Sequence, residues 1–219
     1  MVTITNASVF NFDGALRGMR NPLDSWDKGD SNWMIPEVIT NDYLGIGPSD
    51  MDLAQRLIKA GPEHAKYLRQ IFVSMDINAP IYWWSEMDTY KVGTTANSRS
   101  TMHTLSKYSI DENMFELDPT EDERELEFRK ILMEHLEYLR EKYKDTKDYS
   151  YFRLLKQDLP TAFIQKRTWT GNYAILRNII SQRKSHKLVE WHEFIGQLRT
   201  LPYAKELLFY RNEDEQNGN

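Results

Sequence analysis

The order of apolar and polar residues predicts a strand at the start of the chain and a long helix in its middle. Residues 2–10 alternate loosely and are rich in β-branched side chains, which is typical of a strand. Residues 119–123 combine Pro, Thr and acids that suit the positive end of a helix dipole. The apolar stripe that follows at helical spacing consists of Phe128, Leu132, Leu136, Leu139 and Tyr143. We therefore predict a long helix from about residue 121 to Lys144.

Between these elements the pattern predicts two short helices and a second strand. Ser49 and Asp50 are expected to cap a helix that reaches Lys59, and Gly61-Pro62 ends it and starts another. From residue 71 to residue 84 an alternating segment leads into a dense apolar run, which favours a strand. Residues 85–109 are mostly polar with few apolar anchors, and we expect irregular backbone there.

The remaining segments indicate an α+β fold class. Further helices are predicted at residues 148–156, 172–182 and 188–201. A modest mixed or antiparallel sheet is predicted from residues 2–10, 71–84 and 161–168, packed by several helices. We expect a single domain over residues 1–211, with an irregular segment at 11–48 and a polar tail at 212–219.

Composition narrows the function classes. The 219 residues carry a formal charge of −5, which argues against a general nucleic-acid binder. The chain has no cysteine, so disulfides, thiolate metal sites and a cysteine nucleophile are excluded. The N-terminus does not resemble a signal peptide and no segment approaches the ~18 apolar residues of a membrane span. We therefore expect a cytoplasmic protein without membrane or nucleic-acid partners.

Two amides and a guanidinium in the last third of the chain are the first candidate site. Asn172, Asn178 and Arg183 are separated by six and five residues. An Asn side chain both donates and accepts hydrogen bonds, and an Arg fork suits phosphate or a polarised carbonyl. This combination suits a nucleotide or flavin. The alternative is that Arg183 is an ordinary surface cation near a helix C-terminus.

The second candidate is the polar segment that follows the predicted second strand. It presents acids, a phenol, a cation, an amide and hydroxyls at residues 86–91 and 96–100, as binding loops commonly do. A solvated loop without function is the alternative. The five histidines show no metal-binding spacing, and the chain has no glycine-rich phosphate loop of the P-loop or Rossmann type.

These segments resemble the flavin-dependent thymidylate synthases, in order and spacing, across roughly residues 50–200. The family's Gly-His element and its strand ending in Ala-Pro are matched by Gly61 to His64 and by Ala79-Pro80-Ile81-Tyr82. The more specific match is C-terminal: Leu159-Pro160, Trp169-Thr170-Gly171-Asn172, Asn178 and Arg183, followed by Val189-Glu190-Trp191 at the family's Gln-Trp pair.

The chain departs from the family pattern at its cations. Where the family has Gln, two residues and Arg-His-Arg, this chain has Glu86 and then Thr89-Tyr90-Lys91. Of the family's Asn-Glu-x-Ser-x-Arg-Tyr, the aligned segment keeps Asn97 and Ser100, and Ala174 replaces an Arg. If the family's ligands are bound, the cations that could compensate are Lys91, Arg99, Lys156 and Arg177.

The resemblance implies methylation of dUMP to dTMP by a homotetramer with sites shared between subunits. FAD would be the cofactor, with NADPH and methylenetetrahydrofolate as co-substrates, and Trp83 and Trp84 would contribute partner surface. The flavin-binding residues implied are His64, Tyr90, Lys91, Asn97, Asn172 and Asn178. The nucleotide-binding residues implied are Glu86, Arg99, Ser100, Lys156 and Arg183, of which Arg183 is also the catalytic group that polarises the uracil carbonyls.

Two other hypotheses stay open at this point. One is a non-catalytic relative that binds a nucleotide or serves as an interaction scaffold. The other is an enzyme of the same fold that acts on another pyrimidine, since one fold hosts many chemistries.

Overall fold

The chain has an α+β fold with a four-stranded antiparallel sheet, as its sequence predicts. The computed structural model describes residues 1–32 and 45–211. The strands are β1 (Thr3–Phe10), β2 (Phe72–Pro80), β3 (Thr95–Ser98) and β4 (Ile164–Asn172). Their order in the sheet is β1-β2-β4-β3. Part of the predicted irregular segment, residues 33–44, and the predicted polar tail lie outside the described residues.

Helices make up most of the remaining described chain. The α-helices are α1 (Phe12–Arg20), α2 (Pro48–Ala60), α3 (Ile81–Met87), α4 (Thr101–Thr104), α5 (Glu123–Thr146), α6 (Tyr149–Asp158), α7 (Tyr173–Arg183) and α8 (Val189–Leu198). Short 3-10 helices lie at Asn21–Leu23, Trp26–Lys28, Lys66–Gln70 and Glu112–Met114, and a π-helical turn at Ala204–Leu208. Within the described residues, none of these helices is long and apolar enough to cross a membrane.

The chain divides into two compact units that are interleaved along the sequence. Unit I consists of residues 1–2, 77–89 and 97–167, and the described part of unit II consists of residues 3–32, 45–76, 90–96 and 168–211. Strands β2, β3 and β4 each contribute residues to both units. That residues 1–211 behave as a single domain stays a prediction.

Unit I has its own apolar core around the long helix α5. The buried cluster comprises Leu105, Ile110, Phe115, Leu136, Leu139, Leu155 and Phe163. Asp122 caps α5, since its side chain accepts hydrogen bonds from the Arg124 and Glu125 amides. The predicted long helix is therefore confirmed, and it ends two residues later than expected, at Thr146.

In unit II, helix α1 corrects the prediction that residues 11–48 are irregular. Phe12, Ala15, Leu16 and Met19 are buried at a spacing that places them on one helical face. The Phe12 ring packs edge-on against the Tyr173 ring, with centroids 5.8 Å apart. The apolar residues of this short segment have helical spacing, but its glycines favoured an irregular assignment.

The predicted strand over residues 71–84 is correct only up to Pro80. Residues 81–87 form helix α3, and both Trp83 and Trp84 are fully buried in it. The Trp84 indole Nε1 donates to the Gln165 carbonyl oxygen at 2.9 Å. The expectation that these two tryptophans provide partner surface is therefore wrong, because both side chains are fully buried within the chain.

Two other local predictions need correction. The polar segment 85–109 is not wholly irregular, since it contains β3 and the single-turn helix α4. The second helix expected after Gly61-Pro62 is the 3-10 helix at Lys66–Gln70. Both elements are too short or too polar to produce a clear period in the sequence.

A buried ion pair joins α1 to the start of α2, where the sequence suggested only a helix cap. Arg20 Nε and Asp50 Oδ1 are 2.6 Å apart, and their side chains are 6% and 4% exposed. The other Asp50 oxygen accepts from the Ser31 hydroxyl and the Ser31 amide, at 2.5 and 3.0 Å. The helix cap is supplied from outside the helix by Asp30, which accepts from the Ser49 and Asp50 amides. Asp50 is thus an anchor of the fold, and the expected capping role is wrong.

We predict that Arg20→Ala lowers the free energy of unfolding by about 3–5 kcal/mol, because it leaves the Asp50 carboxylate buried without its guanidinium. The matched control is Arg56→Ala, which removes an i,i+4 pair whose side chains are 63% and 68% exposed. That control should cost less than about 0.5 kcal/mol. Urea unfolding measures both values, and equal losses would contradict a special role for the buried pair.

A second prediction concerns acid stability through Glu137 on α5. Its hydrogen bond with Arg140, helped by the Ile110 amide and the Ser109 hydroxyl, lowers the pKa of Glu137 from 4.5 to about 2. The stabilisation is therefore fully present above pH 4.5 and is lost as the pH falls toward 2. Glu137→Gln should be less stable than the unchanged protein at neutral pH, and this difference should shrink across that range. Urea unfolding as a function of pH measures it, and a pH-independent difference would count against the assignment.

Candidate functional site

A cavity of about 690 Å³ lies within unit II. Its volume is within the range of small-molecule and cofactor sites. The end of α2, the turn that follows it, residues 92–93 and one side of α7 form its walls. The lining residues are Ile58, Gly61, Pro62, Ala65, Leu68, Arg69, Val92, Gly93, Asn172, Ala174, Ile175, Arg177, Asn178 and Ser181.

The junction between β4 and α7 places the first predicted site residue at the cavity. Asn172 is the last residue of β4 and caps α7, since its Oδ1 accepts from the Ile175 amide at 3.0 Å. The Tyr173 amide donates to the Ile71 carbonyl oxygen at 3.0 Å, which ties the junction to the start of β2. A Cβ at Gly171 would overlap the Trp169 ring, so the sequence Trp-Thr-Gly-Asn suits this turn specifically. Asn172 is thus fixed in place by backbone contacts on both sides.

Gly93 gives the cavity room opposite this junction. It has a φ of +73°, a conformation that L side chains rarely adopt. A Cβ there would lie 3.3 Å from Ile175 Cδ1 and 3.8 Å from Asn172 Nδ2. A side chain at this position would therefore both strain the backbone and crowd the cavity.

The polar groups of the cavity are hydrogen-bond donors or neutral amides. Among the described residues that line it, none has a carboxylate. The first turn of α7 contributes Ala174 and Ile175, so the positive end of that helix faces the cavity. Arg69 is exposed, and in the described part of the chain its guanidinium has no ion-pair partner. The site is therefore suited to an anionic or carbonyl-rich ligand.

Arg177 also lines the cavity, but its charge is used within the fold. Its guanidinium donates to the carbonyl oxygens of Leu207, Leu208 and Tyr210, at 2.7–3.1 Å. Burial lowers the pKa of Arg177, and the nearby Tyr67 hydroxyl opposes that shift. Arg177 thus holds the C-terminal turn, and it cannot serve as a freely available replacement for a missing ligand cation.

Arg183, the predicted catalytic residue, lies at the last turn of α7. Its Nε donates to the Tyr90 hydroxyl at 2.9 Å. Its guanidinium lies 4.8 Å from the Trp191 ring centroid and 5.6 Å from that of Tyr90. Arg183 is therefore a half-buried cation in contact with two aromatic rings, and it is not among the residues that line the cavity.

The other predicted residues of unit II either line the cavity or lie close in sequence to residues that line it. His64 is exposed and follows the cavity residues Gly61 and Pro62. Lys91 is exposed and precedes Val92. Asn178 lines the cavity itself. The sequence pattern missed Arg69 and Gly93 because neither lies in a segment with a recognisable motif.

In unit I, the structure brings together three of the predicted nucleotide-binding residues. Arg99 and Ser100 directly precede α4, whose first residue Thr101 accepts a hydrogen bond from Lys156 Nζ at 2.6 Å. The Arg99 guanidinium lies 5.8 Å from the Tyr108 ring centroid. Asn97 is exposed on β3, and Glu86 lies half-buried on α3. Arg99, Ser100, Thr101 and Lys156 thus form a cationic and hydroxyl-rich cluster within unit I.

Comparison with known proteins identifies the fold. No protein-family model and no curated protein matches the sequence. A solved structure of thymidylate synthase X from Helicobacter pylori with FAD and dUMP is similar with a TM-score of 0.73 and 16% identity, over 97% of this chain and 99% of that one. A second structure, of the flavin-dependent thymidylate synthase from the same organism complexed with FAD and dUMP, gives a TM-score of 0.69 and 17% identity, over 97% and 98%. At this identity the likeness shows a shared fold.

We predict that two substitutions distinguish the role of Asn172 as a helix cap from its role as a hydrogen-bond donor to the cavity. Asn172→Ala removes the cap and should lower the free energy of unfolding by about 1 kcal/mol. Asn172→Asp keeps an oxygen for the Ile175 amide, so its stability should stay within about 0.5 kcal/mol of the unchanged protein. Thermal unfolding measures both. Equal destabilisation by Asp and Ala would show that the cap is not what Asn172 contributes.

Proposed function

We propose that the protein is a divergent flavin-dependent thymidylate synthase-like enzyme that binds FAD in the cavity of unit II and methylates dUMP to dTMP. The observation that carries the proposal is the cavity at the N-terminus of α7, with Asn172 and Asn178 in its wall. It occurs on a fold whose solved Helicobacter pylori members hold FAD and dUMP.

The residues present fit a flavin nucleotide. The diphosphate of FAD needs donors and positive potential, which the α7 N-terminus, Arg69 and the Asn amides can supply. The isoalloxazine ring needs apolar walls, and Ile58, Leu68 and Ile175 provide them. The lack of a carboxylate among the described lining residues removes a source of repulsion. His64, Tyr90, Lys91 and Asn97 are further flavin-binding residues in this proposal, carried by the resemblance.

The chemistry gives Arg183 the central role. Reduced FAD, when bound, supplies the hydride that completes the methyl group, with methylenetetrahydrofolate as carbon donor and NADPH as reductant. Arg183 polarises the uracil carbonyls and stabilises the negative charge that develops on the ring. Tyr90 and Trp191 hold its guanidinium in place for that purpose. Because the chain has no cysteine, the pyrimidine must be activated without a thiolate nucleophile.

Within unit I alone, the residues Arg99, Ser100, Thr101 and Lys156 are the proposed phosphate-binding groups. Lys156 and Arg99 supply charge, and Ser100 and Thr101 supply hydroxyl donors. Glu86 completes the set of nucleotide-binding residues by resemblance. A cytoplasmic homotetramer with shared sites remains part of the proposal.

A second function is favoured by the distribution of charge. Ala174 lines the cavity where the family has an Arg, and the nearby Arg177 is bound to three backbone carbonyls. Each missing charge-assisted hydrogen bond can remove ~1.5–3 kcal/mol of binding. A non-catalytic relative that binds a nucleotide would need fewer of these contacts. An enzyme for another pyrimidine is the remaining alternative.

We predict that the purified chain binds FAD, measured by quenching of flavin fluorescence on titration. Asn172→Asp should weaken this binding at least about tenfold, because it replaces a donor by a negative charge at the cavity. The same variant retains the helix cap, so the loss cannot be attributed to unfolding. Absence of FAD binding by the unchanged chain would overturn the flavin proposal.

Growth of a thymidine-requiring strain tests the reaction. Expression of the chain should restore growth without thymidine, and Arg183→Ala should abolish the rescue. The control is Arg199→Ala, since Arg199 also stacks on an aromatic ring, 4.3 Å from the Phe209 centroid, but has no proposed role in ligand binding. FAD binding without rescue would favour the non-catalytic relative or the enzyme for another pyrimidine.

A further inference from the structure

A chain of hydrogen bonds in unit II connects Arg183 to the cavity. Arg183 Nε donates to the Tyr90 hydroxyl oxygen at 2.9 Å. The Tyr90 hydroxyl donates to Gln182 Oε1 at 2.9 Å. Gln182 Nε2 donates to Asn178 Oδ1 at 3.0 Å, one turn earlier on α7. Asn178 lines the cavity, so the chain of bonds ends at the ligand site.

The direction of this chain is fixed at its Arg183 end. A guanidinium has donors and no acceptor, so the Tyr90 oxygen must accept from it. In the structure the single Tyr90 proton is donated to Gln182, which offers its carbonyl oxygen. The amide end of Gln182 is therefore the one that faces Asn178, whose carbonyl accepts it. This leaves the Asn178 Nδ2 group as the end available to a ligand.

Asn172 is also oriented with its carbonyl oxygen toward the protein, but by a backbone amide. Its Oδ1 accepts from the Ile175 backbone amide, which can only donate. Its Nδ2 lies on the side of Gly93, since a Cβ at Gly93 would be 3.8 Å from that nitrogen. Both cavity amides thus have their carbonyl ends engaged by the protein. In the described part of the chain, neither Nδ2 group has a protein partner.

We propose that the cavity selects a ligand group that only accepts hydrogen bonds, and that Gln182 is a positioning residue that enforces this by holding Asn178 as a donor. A diphosphate and the carbonyl edge of a flavin or pyrimidine ring share this chemistry. Arg183 and Tyr90 act in the same chain as the groups that set the polarity of Gln182. The inference rests on the proposed function for the identity of the ligand, while the polarity of the amides follows from the bonds.

Gln182→Glu is the variant that inverts the polarity. The introduced carboxylate can still accept from Tyr90, but its other oxygen cannot donate to Asn178 Oδ1. Asn178 then satisfies the carboxylate with its Nδ2 group and presents its carbonyl to the cavity. Because the substitution also adds a negative charge, the control is Ser185→Glu, an exposed position just after α7.

The probes are inorganic pyrophosphate and riboflavin, each titrated calorimetrically into the full chain. At least one of the two probes should bind. Binding of pyrophosphate identifies phosphate as the acceptor group, and binding of riboflavin identifies the ring carbonyls. Gln182→Glu should lower the affinity for that probe by about three- to tenfold more than Ser185→Glu does. This difference corresponds to the loss of one neutral hydrogen bond. Equal losses in the two variants, or binding of neither probe, would overturn the proposal.

The Asn178 side-chain amide provides a readout that a purely structural role of Gln182 would not move. In ¹⁵N–¹H spectra its NH₂ signals, identified by their loss in Asn178→Asp, should shift when the probe binds to the unchanged chain. In Gln182→Glu the same signals should not respond to the probe. An unchanged signal in the unsubstituted chain would contradict the inference. If FAD fails to bind but pyrophosphate produces these results, the proposed function fails and the donor polarity stands.

Discussion

The junction between β4 and α7 is the constraint on which the candidate site depends. Asn172 ends a strand and caps a helix at once, because its backbone is extended while its side chain accepts from the Ile175 amide. Gly171 makes room for the Trp169 ring at this turn, and the Tyr173 amide is bound to Ile71. One polar side chain is therefore placed at a cavity by the same bonds that start the helix. In the proposed function, the same side chain therefore contributes both the cap of α7 and a hydrogen-bond donor to the ligand.

The charge of the site follows from how α7 is anchored. Arg177 binds the carbonyl groups of the C-terminal turn, and Arg183 rests on Trp191 with its Nε bound to Tyr90. Both cations thus have structural partners, and Arg69 and the N-terminus of α7 are further sources of positive potential at the cavity. In the proposed function, neutral amide donors take a larger share of ligand recognition than in a site built from guanidinium groups. This distribution is compatible with weaker anion binding and with retained selectivity for acceptor groups.

The sequence predicted those elements whose apolar period was long or whose chemistry was local. The stripe on α5 and the Asn172–Arg183 spacing are of this kind, and both correspond to elements of the structure. Helix α1 was missed because Gly14 and Gly18 interrupt its pattern, and the run at residues 81–84 was misassigned because a fully buried helix and strand look alike. The Arg20–Asp50 pair and the Gln182 contact could not be predicted, since each joins residues through tertiary geometry.

The central claim is that the cavity beside α7 binds a flavin nucleotide through donors of Asn172 and Asn178. A crystal structure of the full chain with FAD tests it most directly. The account predicts ligand density in the cavity of unit II, with acceptor oxygens of FAD within ~3 Å of both Asn Nδ2 groups. Density for FAD at another place on the chain, or an Asn carbonyl turned toward the ligand's phosphates, would contradict it.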